Sequence, residues 1–181
     1  MSEASDEDLM LRIAGGDRLA FRALVDRHLG RATGFAWRML GSRAEAEDAV
    51  QDAFLRVWQH GPRWRSDGAS FRTWFHRILL NLCIDRKRKP RVEPLEAAGD
   101  PVDERMDSAA QLEQSRTTKA VAEAVAELPE RQRAALVMCH YEGLSNIEAA
   151  AALQLSVGAV ESLLVRAKRA LRDRLAVLKE A

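Results

Sequence analysis

Apolar residues recur at intervals of three and four along most of this chain, the spacing that places them on one face of an α-helix. The first such stripe runs until Gly41 ends it, and Gly30 and Gly34 are the positions where this long helix could kink. Its members are Ala20, Phe21, Leu24, Val25, His28, Leu29 and Ala32. Ser42 is placed to cap a second helix, which ends by Gly61-Pro62.

A third stripe follows a loop, residues 63–70, that is rich in Arg, Trp, Ser, Asp and Gly. Its apolar members are Phe71, Trp74, Phe75, Ile78, Leu79 and Leu82. The polar side of this predicted helix carries Arg72, His76, Arg77, Asn81 and Asp85. The helix runs into Arg86-Lys87-Arg88-Lys89 and stops at Pro90, so we expect the first domain to span residues 1–90.

The next segment, residues 91–114, holds two prolines and few large apolar residues, which predicts a flexible linker with a short helix near its end. Helical patterning then resumes through Val121, Val125 and Leu128, pauses at Pro129 and continues to Gly143. The second domain is therefore expected at residues 115–181.

The end of the chain has the pattern of a helix-turn-helix. Ser145-Asn146-Ile147-Glu148 is a capping box that opens a short helix, and Ser156 is placed to cap a longer basic one. In such a motif the second helix enters the major groove of DNA. No strand pattern competes, so the sequence predicts an all-α protein of two small helical domains joined by a flexible linker.

Charge is strongly segregated, although the net charge is only +1. Residues 63–91 carry nine Lys and Arg against two Asp and Glu, residues 92–114 carry one against seven, and residues 157–181 carry six against three. Two basic surfaces on either side of an acidic connector indicate two separate contacts with a polyanion. The alternative interpretation is that both are ordinary solvated helix faces.

Candidate catalytic or metal chemistry is not evident in the pattern. Cys83 and Cys139 lie in apolar helical segments without a CxxC or a nearby His pair, so we expect buried reduced thiols and no disulfide. The four histidines form no ligand cluster, and we predict neither a metal nor a cofactor. An acidic start and the lack of a long apolar run predict a cytoplasmic location.

Three segments, in the same order, resemble the extracytoplasmic-function sigma factors of bacterial RNA polymerase. The first, residues 46–58, reads Ala-Glu-Asp-Ala-Val-Gln-Asp-Ala-Phe-Leu-Arg-Val-Trp and is similar to the family's polymerase-binding helix. The resemblance implies that core RNA polymerase contacts Glu47, Asp48, Gln51, Asp52 and Leu55. Helix physics alone would favour a solvated face here.

The second segment, Phe71 to Ile78, is similar to the helix that melts and reads the minus-ten promoter element. The implied DNA contacts are Arg63, Arg65, Arg77, Asn81, Asp85, Arg86 and Arg88. Opened DNA needs apolar or aromatic surfaces for its bases and cations for its backbone, and residues 63–91 offer both. Trp74 is expected in the core, Trp64 fits either core or contact, and the loop of residues 63–70 is expected to hold a flipped base.

The third segment resembles the domain that reads the minus-thirty-five element. It includes Leu128-Pro129, Arg133, Gly143-Leu144-Ser145, Glu148-Ala149-Ala150, Val157-Gly158-Ala159-Val160 and Arg166-Ala167. The implied contacts are Ser156, Val157, Ala159, Glu161, Ser162, Arg166, Lys168 and Arg169, whereas Val160 is expected to face the core. Glu161 could accept a hydrogen bond from a cytosine amino group or simply favour the positive end of its helix.

This segment departs from the family pattern at four positions. Gln154, Ala159, Glu161 and Leu163 stand where the family usually has Gly, Thr, Lys and Arg. Two expected cations are missing, so we expect Arg166, Lys168, Arg169 and Arg172 to carry more of the phosphate binding.

The resemblance implies a sigma factor that binds core RNA polymerase and promoter DNA, catalyses nothing itself and is controlled by an anti-sigma factor. One rival interpretation is a stand-alone helix-turn-helix regulator, which the acidic helix and the aromatic, basic helix of the first 90 residues disfavour. A helical nuclease is a weaker rival, because the sequence lacks the acidic or His clusters that metal-assisted hydrolysis needs.

Overall fold

The computed structural model describes residues 4–65, 70–88 and 109–180, with side chains at 4–65, 70–88 and 118–176. Across these residues the chain forms helices and turns and no strand, which confirms the all-α prediction. The helices are α1 (Asp6–Ala14), α2 (Arg18–Leu40), α3 (Arg43–His60), α4 (Phe71–Arg88), α5 (Ala109–Ala126), α6 (Glu130–Leu136), α7 (Asn146–Leu153) and α8 (Val157–Glu180). A 3₁₀ turn (Gly61–Arg63) follows α3, and a π turn (Val137–Tyr141) continues α6.

Helix α1 was missed in the sequence interpretation, which began its first helix near Ala20. The Ser5 hydroxyl accepts from the Asp8 amide, and the Asp8 carboxylate accepts from the Ser5 amide, so a capping box opens the helix. Leu9, Met10 and Ile13 are buried on one face. The capping box and this spacing were the signals available.

Helices α2, α3 and α4 form the core of the N-terminal domain, and α1 packs against α2 and α4. α2 runs without a break through Gly30 and Gly34, and Gly41 ends it in the left-handed conformation, at φ 72°. Ser42 caps α3 as predicted, since its hydroxyl accepts from the Glu45 amide. The core is aromatic: the Phe75 ring stacks on the Phe71 ring with centroids 5.5 Å apart and lies 5.0 Å from the Phe54 ring.

The C-terminal domain packs α8 against α5, α6 and α7. Its described core is made of Ala, Val, Leu and Met side chains. Gly143 has φ +66° and ends the segment that α6 and the π turn form, as the sequence pattern indicated. Ser145 and Glu148 form the predicted capping box of α7, and the Ser156 hydroxyl accepts from the Ala159 amide at the start of α8. The predicted helix-turn-helix is therefore present.

The two groups of helices also contact each other. α4 lies against α7, and α2 lies against α5, α6 and the π turn. The predicted linker, residues 91–114, lies outside the described residues as far as residue 108, and its last six residues belong to α5. Over the described ranges no helix alone has the length and apolar character to cross a membrane; α7 and α8 reach it only as a pair bent by 101°.

Candidate functional site

The outer face of α3 presents most of the residues predicted to bind polymerase. Glu47, Asp48, Gln51 and Leu55 are exposed, and Leu55 keeps 52% of its surface accessible. These residues are exposed because the helical period of α3 places another set of residues on its buried face: Ala46, Ala49, Val50 and Ala53. Beside them, an open groove of about 650 Å³ runs between α2 and α3. Its lining is largely apolar and includes Phe21, Val25, Leu29, Leu55 and Trp58.

Glu47 accepts from Nε of Arg43 at 3.0 Å within α3, whereas Asp52 pairs with a residue of another helix. The Asp52 carboxylate accepts from Nη2 of Arg86 at 2.7 Å, so a residue predicted to contact polymerase is paired with one predicted to contact DNA. The pair links α3 to α4 and leaves Arg86 half-buried. Each of these two charges is thus partly neutralised by the other within the protein.

Four of the residues predicted to read the minus-ten element share one face of α4. Arg77, Asn81, Asp85 and Arg88 are exposed, and their spacing places them within about 80° around the helix axis. Arg63, the last residue of the 3₁₀ turn, and Arg65, two residues further on, are also exposed. The part of the predicted base-holding loop at residues 66–69 lies outside the described residues. The arrangement combines cations with hydrogen-bonding side chains, which suits opened DNA.

Both tryptophans near this face lie where the sequence pattern placed or allowed them, whereas one histidine does not. Trp64 and Trp74 are half-buried and pack against the core. His76, assigned to the polar side of the helix, is buried, and that assignment is wrong. The reason is that the C-terminal domain covers this flank of α4, a contact that helical periodicity within α4 does not reveal.

In the C-terminal domain, Ser156, Val157, Glu161 and Ser162 are exposed at the start of α8, and Ala159 is half-buried. Val160 is buried, as predicted. Further along the helix, the cations Arg166, Lys168, Arg169 and Arg172 are exposed.

The helix geometry divides these cations among different faces of α8. With 100° per residue, Ser162 and Arg169 lie opposite buried Val160, and Arg166 and Lys168 lie on the two flanks. A single DNA surface would therefore meet Ser162 and Arg169 centrally and would reach the flanking cations only at its edges.

Gln154 ends α7 in the left-handed conformation, at φ 56°. Among the described residues with a side chain, no other has positive φ. This is the position where the family pattern usually has glycine, which adopts such a conformation without a Cβ penalty. The backbone geometry of the turn is therefore kept although its usual residue is not.

A contact between the domains escaped the sequence interpretation. The guanidinium of Arg133, on α6, donates from Nη1 to the Met39 carbonyl at 2.9 Å and from Nη2 to the carbonyls of Ala126 and Leu128. It thus closes the ends of two helices from different domains. Burial lowers the pKa of Arg133 from its ordinary value, and nearby Glu130 opposes that effect. Arg38 adds a second link, since its guanidinium lies 4.2 Å from the Tyr141 ring centroid.

A third link joins His76 of α4 to Glu142, which follows the π turn. Nδ1 of His76 lies 2.8 Å from the Arg72 carbonyl and must donate to it, which leaves Nε2 facing Glu142 Oε2 at 3.5 Å. Both atoms are buried without a hydrogen-bond partner. Nothing in the local sequence marks Glu142 as a buried residue.

Both cysteines are free. Burial raises the pKa of the Cys83 thiol to about 12, and burial also raises the pKa of Cys139. Neither thiol is therefore an activated nucleophile. Within the ranges given above, no group of three or more His, Cys, Asp and Glu residues could hold a metal ion.

Comparison with known proteins connects this geometry to a family. Residues 24–92 match the model of sigma-70 region 2, and residues 118–171 match that of sigma-70 region 4. The chain is 36% identical over 168 residues to the ECF RNA polymerase sigma factor SigM of Mycobacterium tuberculosis, covering 92% of this chain and 82% of that protein. It is 32% identical over 179 residues to SigW of Bacillus subtilis, covering 91% and 93%.

Solved structures agree with these matches. The structure of CnrH in complex with the cytosolic domain of CnrY is similar with a TM-score of 0.70 and 32% identity, covering 95% of this chain and 97% of that one. The sigma factor RpoE of Bartonella quintana, solved with the anti-sigma factor NepR, shares the fold with a TM-score of 0.65 and 22% identity, covering 87% and 97%. A stand-alone regulator would not match region 2. This chain belongs to the sigma-70 family, in its extracytoplasmic-function branch.

Proposed function

We propose that this chain binds core RNA polymerase through the outer face of α3 and directs it to promoters read by α4 and by the start of α8. The observation that carries the proposal is the exposed acidic and apolar face of α3 beside an open groove, next to a helix with a cationic and polar face. A solvated face would not need the exposed Leu55 or the apolar groove.

The occupant that fits the α3 face is a basic coiled-coil surface of the largest polymerase subunit. Glu47, Asp48 and Gln51 offer acceptors to Lys and Arg, while Leu55 and the groove offer apolar contact. Glu47 pairs with exposed Arg43 on its own helix, whereas Asp52 pairs with half-buried Arg86 of α4 and therefore contributes less in this scheme. The proposed role of Asp52 is to hold α3 and α4 in a fixed relation.

The proposed DNA contacts lie on two surfaces. Arg63, Arg65 and the exposed face of α4 meet the opened minus-ten element, with Arg77 and Arg88 on phosphates and Asn81 and Asp85 free for base edges. Residues 156–162 meet base edges of the minus-thirty-five element, and Arg169 with the flanking cations meets its phosphates. The chain supplies binding energy and positioning, and bond formation belongs to polymerase.

Control by an anti-sigma protein is part of the proposal. CnrH, to which this chain is similar along nearly its whole length, was solved with the cytosolic domain of CnrY. A protein that inserts between the two domains here would have to part Arg133 from Met39 and His76 from Glu142. Since its partner is polymerase, the proposed place of action is the cytoplasm.

Transcription reconstituted with sigma-free core polymerase and genomic DNA of the host tests the proposal. The chain should give transcripts with defined start sites, and core alone should give none. Specific binding to duplex DNA without transcription, in the presence of active core, would contradict the proposal.

A substitution in the α3 face makes the test specific. Leu55→Glu places a charge in the apolar part of the contact, and we expect it to weaken core binding about tenfold, since a tenfold change is about 1.4 kcal/mol and lies within the range for a central interface residue. Glu123→Lys is the matched control, since Glu123 is an exposed acid of α5 outside the groove. Equal affinity of Leu55→Glu and wild type for core would exclude this face.

A further inference from the structure

Helix α1 lies before the residues that match region 2, which begin at residue 24. It nevertheless contacts α2, the 3₁₀ turn and α4. Its contacts therefore reach both ends of the stretch that joins α3 to α4, where Arg63 and Arg65 stand exposed.

The first of these contacts is made by Ile13. Gly61 is buried against it, and a Cβ added at Gly61 would lie 3.0 Å from Cγ2 of Ile13, closer than side chains normally pack. The Trp64 amide donates to the Gly61 carbonyl at 3.1 Å, which closes the turn. Ile13 thus sets the start of the segment that presents Arg63 and Arg65.

The second contact is made by Glu7. Its Oε1 accepts from the amide of Phe71 at 3.1 Å, across 64 residues of sequence. The first amides of a helix have no partner within the helix, and a negative group is favourable there. α4 has no acidic residue in its own first turn. The Ser70 hydroxyl accepts from the Thr73 amide and also pairs with the Thr73 hydroxyl, but it carries no charge, so Glu7 supplies the charged part of the cap.

Neighbouring contacts hold Glu7 in place. Asp6 pairs with Arg27 and with Nε2 of His28, both on α2, while Leu9 and Met10 are buried. The Phe71 side chain is buried and stacks on Phe75, and α1 packs against α4. α4 therefore begins at a position that α1 fixes through both a hydrogen bond and packing.

We propose that α1 belongs to the strand-opening part of this protein, and that Glu7 is a positioning residue which holds the start of α4 and the segment carrying Arg63 and Arg65. The inference rests on the proposed minus-ten role of these residues. Glu7 is absent from the groove between α2 and α3, so its loss leaves the polymerase contact intact. Promoter opening and polymerase binding should therefore respond differently to its substitution.

Holoenzyme made from the full chain and host core polymerase tests this. The opening rate is measured with a fluorescent base at the minus-ten element of a duplex promoter, and core affinity is measured by competition. Glu7→Ala should slow opening about tenfold, the scale of losing one helix cap, with core affinity within about twofold of wild type. Glu7→Gln keeps an acceptor oxygen at the same place and should recover most of the rate.

Gly61→Ala independently tests the contact of Ile13 at the start of the stretch that joins α3 to α4. Its Cβ would displace Ile13, and it should slow opening with core affinity unchanged. Gly30→Ala is the matched control, because the same change at Gly30 meets no atom within 4 Å, and it should open at the wild-type rate.

The inference is overturned if Glu7→Ala opens promoters at the wild-type rate, or if opening and core affinity fall by the same factor. It is equally overturned if Gly30→Ala slows opening as much as Gly61→Ala does. A wild-type holoenzyme that opens no promoter at all would instead overturn the proposed function, and this inference with it.

Discussion

The N-terminal domain packs its core around aromatic rings, whereas the C-terminal domain packs its core from Ala, Val, Leu and Met side chains. All five phenylalanines and all four tryptophans of the chain lie at or before Phe75, and the single tyrosine, Tyr141, is exposed in the second half. The aromatic rings each bury a large apolar area in the first core, whereas smaller aliphatic side chains fill the second.

The two domains also differ in how far apart in sequence the residues joined by polar side chains lie. In the N-terminal domain, Glu7 reaches Phe71 and Arg86 reaches Asp52, both over more than thirty residues. In the C-terminal domain, the described side-chain hydrogen bonds mostly join neighbours in sequence, such as Ser145 with Glu148. The N-terminal domain thus adds distant polar pairs to its local caps, whereas the described polar contacts of the C-terminal domain are mostly local, with the ion pair of Arg174 and Glu127 as an exception. The difference shows where each should be sensitive to substitution.

Removing an aromatic ring from the first core should have the largest effect. Phe75 is buried among Phe54 and Phe71, so Phe75→Ala should lower the free energy of unfolding by about 3–5 kcal/mol. Urea unfolding followed by tryptophan fluorescence measures it, because every tryptophan lies in this domain. Leu19→Ala, at an exposed leucine of α2, is the control and should stay within about 0.5 kcal/mol. A loss below about 1 kcal/mol for Phe75→Ala would contradict the aromatic core.

Arg133 breaks the pattern of local contacts, because it joins the two domains through the Met39 carbonyl. Arg133→Met leaves buried carbonyls without a donor and should cost about 2–3 kcal/mol. The fluorescence transition of the first domain and the circular-dichroism transition of the whole chain should then separate more than in wild type. Arg131→Met, at an exposed arginine of the same helix, is the control. Unchanged stability of Arg133→Met would show that the domains do not depend on this contact.

The N-terminal domain should also lose stability in mild acid, through His28. Burial lowers the pKa of His28 below 6.5, against the opposing effect of Asp6; Arg27 and His76 act in the same direction as burial. As the pH falls, His28 is therefore protonated in the unfolded chain before it is protonated in the folded one. The stability that neutral His28 contributes is present above pH 6.5 and is lost as the pH falls through the lower pKa of the folded state.

The free energy of unfolding should fall by no more than about 1.4 kcal/mol per pH unit, because only one proton is taken up. Urea unfolding by tryptophan fluorescence at about pH 7 and about pH 5.5 measures it, and His28→Gln should remove the difference. Three carboxylates with lowered pKa values titrate in a more acidic range, below 4.5, and do not contribute to this difference: Asp8, Asp17 and Glu148. If the free energy of unfolding of His28→Gln fell with pH as much as that of wild type, another group would be responsible for the effect.

The same contrast explains most of what could be predicted from the sequence, although α1 was missed despite its local capping box. Capping boxes and helical periodicity are local, so α7, the turn at Ser156 and the buried face of α3 followed from the residues themselves. The burial of His76 did not, because it depends on Glu142, which lies in the other domain. The cap that Glu7 provides also joins distant residues. The binding roles of the exposed residues came from the family resemblance and remain predictions.

The smallest expected effect lies in the turn of the helix-turn-helix. Gln154 holds a left-handed conformation at φ 56°, which a residue with a Cβ adopts at a cost, so Gln154→Gly should stabilise the C-terminal domain by about 0.5–1 kcal/mol. The mirror substitution, Gly41→Ala at φ 72°, should destabilise the N-terminal domain by about 1 kcal/mol. Circular dichroism follows the first variant and tryptophan fluorescence the second.

A loss of stability in Gln154→Gly would mean that the glutamine side chain contributes more to the turn than its backbone costs. A gain together with weaker promoter binding would mean something different. It would indicate that the strained turn is retained because it orients Ser156 and the start of α8 toward DNA, so that the local organisation of this domain serves recognition at the expense of stability.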